Sequence, residues 1–539
     1  MLKRPYLWLT LAVLIVYGQV LGSGFTNLDD YALLVQNSQT FQNPENLLGV
    51  FTKDYVSPIT GGQYYRPLFA ASLIANGAMG GSRAFLFHLT DLLLHLGVVL
   101  LLYKFLLAVS GREPAAFFGA LVFAVHPLLA QTVAWIPARN DSLMVLFFLW
   151  YLLVYEKSYW QAALAMALAL MSKETALLIP IITVLHTALI SRDEKKYHRL
   201  LWFLPLWASL TALWFLGRGS ALSGAAALSL PTMISSVYHS FAAILQYLGK
   251  IIFPFNLSTY PVMADLKLVY GFAALLVLAA GFLVSRQKRN RVIIFGAAWF
   301  LFFLGFSLIR VTELPYLEVL EHRAYLPMIG ILLIILEFDF FQKDWRLSRP
   351  RMATVAVLVL GLGLLNVAHA RAFRGGLAYW RQAVRTSPSS PFSHKQLGAM
   401  LHAAGDNAEA EREYKIAIAQ GPEKTLVYNN AGLLYATMGR TREAEIMYRL
   451  EIASNPEYHL AHMNLGNLYW EQNKTPEAVR EWQEALRLNP NFFPVYRNLA
   501  IYYYETDQWE QGIALLRQLE SRGGKIDPDL QEVYAPYLK

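Results

Sequence analysis

Cysteine is absent from all 539 residues, which excludes disulfides, thiolate metal sites and a cysteine nucleophile. Charge is also scarce. Only 16% of residues are Asp, Glu, Lys or Arg, against 55% hydrophobic, where soluble proteins carry about 25% charged residues. The deficit lies before about residue 370, and the remainder of the chain reads as ordinary soluble helix rich in Glu, Arg, Ala and Tyr. One chain therefore meets two solvents, lipid first and water second, and its length already calls for at least two units. The formal charge of +8 sits in short Lys/Arg clusters between apolar runs, the habit of a membrane protein rather than of a nucleic-acid binder. Lys3 and Arg4 precede an apolar run from Tyr6 to Leu21, as in a secretory signal. No small-residue cleavage site comes after it and many further runs do, so the segment reads as a first membrane anchor.

Apolar runs near the ~20 residues that cross a bilayer occur at 5–22, 85–109, 114–134, 142–155, 159–171, 175–190, 200–217, 268–285, 291–309, 323–339 and 352–370. A further stretch, 236–253, is interrupted by Gln246, Gly249 and Lys250 and ends in Pro254. The clusters Arg192/Lys195/Lys196/Arg199, Arg286/Lys288/Arg289/Arg291 and Lys343/Arg346/Arg349/Arg351 all belong on the cytoplasmic side. They share a side only if 236–253 does not span, so that stretch reads as an interfacial or re-entrant helix. The expected fold is all-α: a polytopic helical membrane domain over 1–370 with about eleven spans, N-terminus inside, then a soluble helical domain over 371–539 outside. With this topology Asp29, Asp30, Arg66, Arg139, Asp141, Lys173, Glu174, Glu321, His322 and Arg323 fall at one surface. Ionisable groups at membrane depth are costly and mark a pathway or an active site; singly, each also fits a helix-end anchor or a paired charge.

From about residue 388 the chain repeats every 34 residues, the period of tetratricopeptide repeats (TPRs). Pro388, Pro422, Pro456 and Pro490 keep that step, as do Gly398, Gly432, Gly466 and Ala500, and Ala410, Ala444, Ala478 and Gly512. The bulky series Tyr414, Tyr448, Trp482 and Leu516 does the same, and Trp380 continues it backwards. The second domain is thus a TPR α-solenoid, in which small residues let helices approach and large ones fill the space between repeats. Gln396, Asn430, Asn464 and Asn498 share one register on successive first helices. A primary amide both donates and accepts, so such a ladder suits an extended polypeptide acceptor. The alternative is that these amides space neighbouring helices.

Several short motifs run in the same order as the apolar runs. Asn27-Leu28-Asp29-Asp30-Tyr31 opens the first external loop, which later carries Tyr65-Arg66-Pro67-Leu68. His126-Pro127, Val133-Ala134-Trp135 and Arg139-Asn140-Asp141 come next, then Ser172-Lys173-Glu174, and finally Glu321-His322-Arg323-Ala324-Tyr325-Leu326-Pro327. This order resembles the bacterial membrane proteins with C-terminal TPRs and their eukaryotic relatives, the transmembrane and TPR-containing protein O-mannosyltransferases. One position departs from the pattern: Ala138 stands where relatives often have Glu before the Arg that matches Arg139. The resemblance implies a GT-C-like membrane glycosyltransferase that takes a sugar from a polyprenyl-phosphate (or dolichyl-phosphate) carrier and passes it to an acceptor outside the cytoplasm. It implies a catalytic carboxylate at Asp29 or Asp30, and a multi-pass protein of the bacterial inner membrane with a periplasmic TPR domain.

The chemistry agrees with that implication. A polyprenyl phosphate is already a good leaving group, so the reaction needs one carboxylate to take the acceptor's proton and cations to hold the departing phosphate. Asp29 and Asp30 fit the first role. Arg66, Arg139, Lys173 and Arg323 are candidates for the second, arginine being suited to bidentate phosphate contact, and a single displacement inverts the anomeric centre. His126, Glu174, His322 and Tyr325 are further site candidates. No metal site is assigned, although adjacent aspartates are also a pattern for a divalent cation. The other readings are a polysaccharide polymerase or ligase using similar donors, a membrane-anchored TPR scaffold, and a flippase for lipid-linked sugars. A scaffold needs no ionisable cluster, and a flippase should show polar groups on both sides.

Overall fold

The computed structural model describes residues 4–56, 64–191, 194–222, 238, 241–309, 319–341, 349–421 and 426–536. Of the basic clusters and the proline register, Arg192, Lys343, Arg346 and Pro422 lie outside these residues. The described residues are helical with no strand, and they divide into two compact units, Met1–Ser387 and Pro388–Lys539.

Among the described residues of the first unit, six helices are long and apolar enough to cross a membrane: Pro5–Gly22, Ala84–Ser110, Glu174–Ser191, Leu200–Ala221, Asn290–Ser307 and Arg351–Phe373. Glu113–Val125 and Pro127–Ala134 make a seventh if taken as one span, bent by 51°. That is fewer than the eleven expected. The difference has a local cause, because several apolar runs are cut short. Proline lacks the amide hydrogen that an unbroken helix needs, and Pro127 marks the bend while Pro327 starts a helix of only 9 residues, Pro327–Ile335. Pro67–Gly80, Tyr159–Ser172, Phe241–Ile252 and Val269–Val284 are apolar but shorter. Lipid-facing character survives in the exposed Leu276, Leu283, Val284, Val357 and Leu360. This pattern of apolar helices is that of a membrane protein.

The helix Phe241–Ile252, in the stretch read as interfacial or re-entrant, is 12 residues long and buries Gln246, Gly249 and Lys250. Its Lys250 ammonium meets Glu321 at 2.6 Å, and the other Glu321 oxygen lies 2.9 Å from His369 Nε2. The loop after this helix donates its Ser258 amide to Glu321 as well. Three separate segments therefore fix the turn Glu321–Ala324. The helix Gly376–Thr386, which carries Trp380, is fastened to the same loop. Tyr379 and Thr259 exchange hydrogen bonds at 2.9 Å each way, and the Ser258 and Thr386 hydroxyls lie 2.6 Å apart.

The second unit is a run of antiparallel helix pairs beginning with Pro391–Ala403 and Asn407–Gln420. The small and large registers meet inside each pair. A methyl group added at Gly398 would come within 2.6 Å of Tyr414, and Gly432 and Gly466 stand in the same relation to Tyr448 and Trp482. Ala410, Ala444 and Ala478 are fully buried beside them. A second device recurs in alternate repeats. His394 Nδ1 meets Glu413 at 2.6 Å and His462 Nδ1 meets Glu481 at 2.7 Å, whereas the intervening equivalents are Tyr428 and Tyr496. The array is a TPR solenoid.

Candidate functional site

The segment after the N-terminal apolar helix turns at once, and Asn27 takes a left-handed backbone (φ 56°) that asparagine tolerates better than most residues. The turn Asp29–Tyr31 comes next, with its two carboxylates in unlike places. Asp30 is buried and accepts from the Thr26 amide at 2.6 Å, the Thr26 hydroxyl at 3.0 Å, the Leu28 amide at 3.3 Å and the Tyr31 amide at 3.0 Å. Burial raises its pKa, and these hydrogen bonds oppose the rise. Asp29 is only half-buried. The turn packs against Ile136–Ala138, the short 3-10 segment that ends where Arg139, Asn140 and Asp141 begin.

Beside that segment, residues from three other stretches meet. Arg66 forms a two-pronged ion pair with Glu174, at 2.7 Å and 3.0 Å, and its guanidinium also lies 4.4 Å from the centre of the Tyr64 ring. Lys173 meets Asp141 at 2.6 Å. His322 rests against the Trp135 ring with centroids 5.3 Å apart. Gln131 accepts from the His322 amide at 2.9 Å and donates to the Thr259 carbonyl at 3.1 Å, which holds the backbone of the turn in place. Burial first, and then the positive charges of Lys173, Arg323 and Arg66, drive the His322 pKa well below the ordinary histidine value. Burial and these neighbouring charges thus favour the neutral imidazole. Arg66, Lys173, Glu174, His322 and Arg323 are thus brought together, although they come from three distant parts of the chain.

The remaining candidates have other partners. Arg139 is wholly buried, pairing with Asp91 at 2.5 Å and donating to Asn76 Oδ1 at 2.7 Å and the Phe87 carbonyl at 2.8 Å. His126 Nδ1 accepts from the Leu128 amide and its Nε2 lies 3.0 Å from the Ile251 carbonyl, bracing the bend in the broken span. The Tyr325 hydroxyl is buried 2.8 Å from His95 Nδ1. Asp91, Asn76, Lys250 and His369 were not singled out as partners from the sequence. A polar residue inside an apolar helix is a visible signal, but its partner, tens to hundreds of residues away, is not.

Further polar atoms in this region are buried with no hydrogen-bond partner among the described residues: Trp135 Nε1, Asn140 Oδ1, Asp141 Oδ2 and Thr175 Oγ1, with Thr132 Oγ1 and Ser142 Oγ on the same stretch. Among the described residues no group of three or more His, Asp or Glu is arranged to hold a metal ion. In the repeats, two members of the amide ladder bind the neighbouring repeat. Asn464 donates to Asn429 Oδ1 and Asn498 to Asn467 Oδ1, both at 2.8 Å. All four of Gln396, Asn430, Asn464 and Asn498 are half-buried.

Comparison with known proteins bears on both units. A family model described as a TPR repeat matches residues 466–507, and one described as a tetratricopeptide repeat matches residues 426–458. Among curated proteins, Protein O-mannosyl-transferase TMTC1 of Homo sapiens is 34% identical over 147 residues, 26% of this chain and 17% of that protein. Protein O-mannosyl-transferase TMTC2 of Mus musculus is 41% identical over 93 residues, 17% of this chain and 11% of that protein. Protein O-mannosyl-transferase F38B6.6 of Caenorhabditis elegans is 23% identical over 448 residues, 76% of this chain and 61% of that protein. The matches to the first two span less than a fifth of those relatives. The resemblance read from the motifs holds: the similar proteins are protein O-mannosyl-transferases, and the TPRs are present.

Proposed function

We propose that this membrane protein is a glycosyltransferase that moves a sugar, mannose by analogy with its relatives' names, from a polyprenyl-phosphate carrier to a polypeptide hydroxyl on the extracytoplasmic side. The observation that carries this reading is the gathering of Arg66, Lys173, Arg323 and His322 beside the turn that bears Asp29. Phosphate departure needs cations preorganised where negative charge develops. In a GT-C-like displacement the acceptor oxygen bonds to the anomeric carbon as the bond from that carbon to the phosphate oxygen breaks. The acceptor's proton passes to a carboxylate, and the anomeric centre inverts. Asp29, half-buried where Asp30 is fully buried, is the more accessible of the pair for that role. Arg66 and Lys173 face the leaving phosphate, with Glu174 and Asp141 holding them extended until it arrives.

Arg139 then acts at one remove, setting the position of Asn140 and Asp141 from its buried pair with Asp91. His126 and Tyr325 serve the frame in the same way. The TPR solenoid captures the acceptor polypeptide and raises its local concentration, which is the usual gain from a linked binding module. The protein is placed in the bacterial inner membrane with its repeats in the periplasm, in keeping with the basic clusters assigned to the opposite side.

Reconstituted protein supplied with radiolabelled mannosyl-phosphate polyprenol and a peptide library tests the reaction. Label should enter peptide, and Asp29→Asn should lower turnover by about 10² to 10⁴, the usual worth of a general base, without changing the melting temperature. Asp30→Ala should instead lower the melting temperature, since it strands three backbone amides. Transfer to glycan but never to peptide would favour a polysaccharide polymerase. Wild-type turnover in Asp29→Asn would remove Asp29 from the chemistry.

A further inference from the structure

Buried polar groups in native proteins nearly always have partners, and a typical protein shows only a few exceptions per hundred residues. Here Trp135 Nε1, Asn140 Oδ1, Asp141 Oδ2 and Thr175 Oγ1 are such atoms, and Thr132 Oγ1 and Ser142 Oγ flank the first three in the chain. Trp135, Asn140, Asp141 and Thr175 are at most 6% exposed. Each is tied to the cluster by a bond, a contact or its place in the chain. The other Asp141 oxygen accepts from Lys173, and Thr175 stands two residues beyond that lysine. The Asn140 amide nitrogen donates to the Pro137 carbonyl at 2.6 Å, so its oxygen alone is uncommitted. The Trp135 ring lies against His322.

The chemical character of these atoms is as informative as their number. One is a pure donor, two are pure acceptors while Asp141 is ionised, and the Thr175 hydroxyl does both. Phosphate would be matched by donors alone, and a polyprenyl chain by no polar atom. A hexose presents several hydroxyls, each able to donate and accept at once, and it is the one part of the donor that needs a mixed set. We infer that Trp135, Asn140, Asp141 and Thr175 form the subsite for the hydroxyls of the transferred sugar, next to the Arg66 and Lys173 that receive the phosphate. This rests on the glycosyl-transfer reading and adds the residues that choose the sugar. A subsite built of hydrogen-bonding groups discriminates strongly, because an analogue lacking one hydroxyl leaves a buried polar atom without a partner.

The experiment pairs Thr175→Val and Trp135→Phe with mannosyl-phosphate polyprenol and its 2-, 3-, 4- and 6-deoxy analogues as donors. Valine keeps the threonine shape and removes only the hydroxyl. Wild-type protein should lose at least about tenfold in donor kcat/KM on one or more deoxy donors. Thr175→Val should lose about tenfold on the full donor yet nothing further on the one deoxy donor whose missing hydroxyl it recognised, and Thr175→Ser should restore the wild-type profile. Melting temperatures within a few degrees of wild type establish that each variant is folded. Equal losses on all five donors, or none, would overturn the subsite, and an ordered water as sole partner of these atoms would show as that flat profile. Because wild-type turnover is measured alongside, a flat profile on an active enzyme sinks the subsite alone. A wild type that accepts no polyprenyl-phosphate sugar sinks the function and the subsite together.

Discussion

Removing the Asp91 carboxylate asks whether Arg139 belongs to the frame or to the chemistry. The guanidinium is wholly buried, and Asp91, at 2.5 Å, is the one carboxylate among its described hydrogen-bond partners. Its other acceptors, Asn76 Oδ1, the Ser72 oxygens and the Phe87 carbonyl, are neutral. Asp91→Leu therefore leaves a buried cation without compensation, which costs about 3 to 5 kcal/mol. Adding Arg139→Met removes the cation too, and replacing a whole buried pair by apolar groups is neutral or stabilising by about 1 to 4 kcal/mol. Against that gain stands about 1 to 3 kcal/mol for Asn76 Oδ1, which loses its donor. The double variant should return to within about 2 kcal/mol of wild type. Thermal melts in detergent measure the stabilities, and initial rates of sugar transfer measure the function. If Arg139 only positions its neighbours, the double variant keeps donor kcat/KM within about tenfold. A guanidinium bonded to the leaving phosphate would cost about 10² to 10³ instead. A double variant as unstable as Asp91→Leu would refute the ion-pair reasoning, and a stable but inactive one would return Arg139 to the phosphate.

Three other outcomes are expected from the fold. The absence of native cysteine makes single-cysteine labelling clean: the exposed Gln287→Cys should resist an impermeant thiol reagent in intact cells, while the exposed Lys53→Cys and Arg442→Cys react. Labelling of position 287 from outside would invert the topology. Replacing Asn430, Asn464 and Asn498 together by Ala should raise the acceptor KM and leave donor KM alone, with a modest drop in melting temperature from the lost bonds to Asn429 and Asn467; unchanged acceptor kinetics would make the ladder purely structural. Burial lowers the Lys395 pKa to about 8, against a smaller opposing pull from Glu451. The unfolded chain then binds that proton more tightly, so the site's stability contribution rises as pH increases from about 8 towards the unfolded lysine value of ~10.4. Lys395→Met should raise the melting temperature below pH 8 by a margin that shrinks towards pH 10.5, and a pH-independent margin would contradict that account.

What could be read from the sequence was whatever repeats or stands out chemically from its surroundings. The Gly398/Tyr414 register was visible because the same step returns at Gly432/Tyr448 and Gly466/Trp482, and the packing between them comes from size alone. The ions of the candidate site were visible because Arg66, Lys173 and Glu174 interrupt apolar sequence. Their pairing was not. Arg66 and Glu174 lie 108 residues apart, and only the packing of separate helices decides that they meet each other while Lys173 turns to Asp141. Nor does hydropathy show where a helix breaks, since it marks an apolar run but not the 51° bend that divides one of them. The uncommitted oxygen of Asn140 is of the same kind: its amide nitrogen is claimed by Pro137 through local backbone geometry that no residue pattern announces.

The alternation of His394, Tyr428, His462 and Tyr496 along the first helices gives the repeat array a longer wavelength than its 34-residue period. The histidine-bearing members each brace a glutamate on their own partner helix, so successive repeats differ in how their two helices are tied. The array is then best regarded as a doublet copied once. Excising a single repeat would juxtapose two members of the same kind, whereas excising an adjacent pair preserves every kind of junction. Shortened forms of the solenoid should therefore remain cooperative when whole doublets are lost, and lengthening it by a doublet should extend the superhelix without a fault.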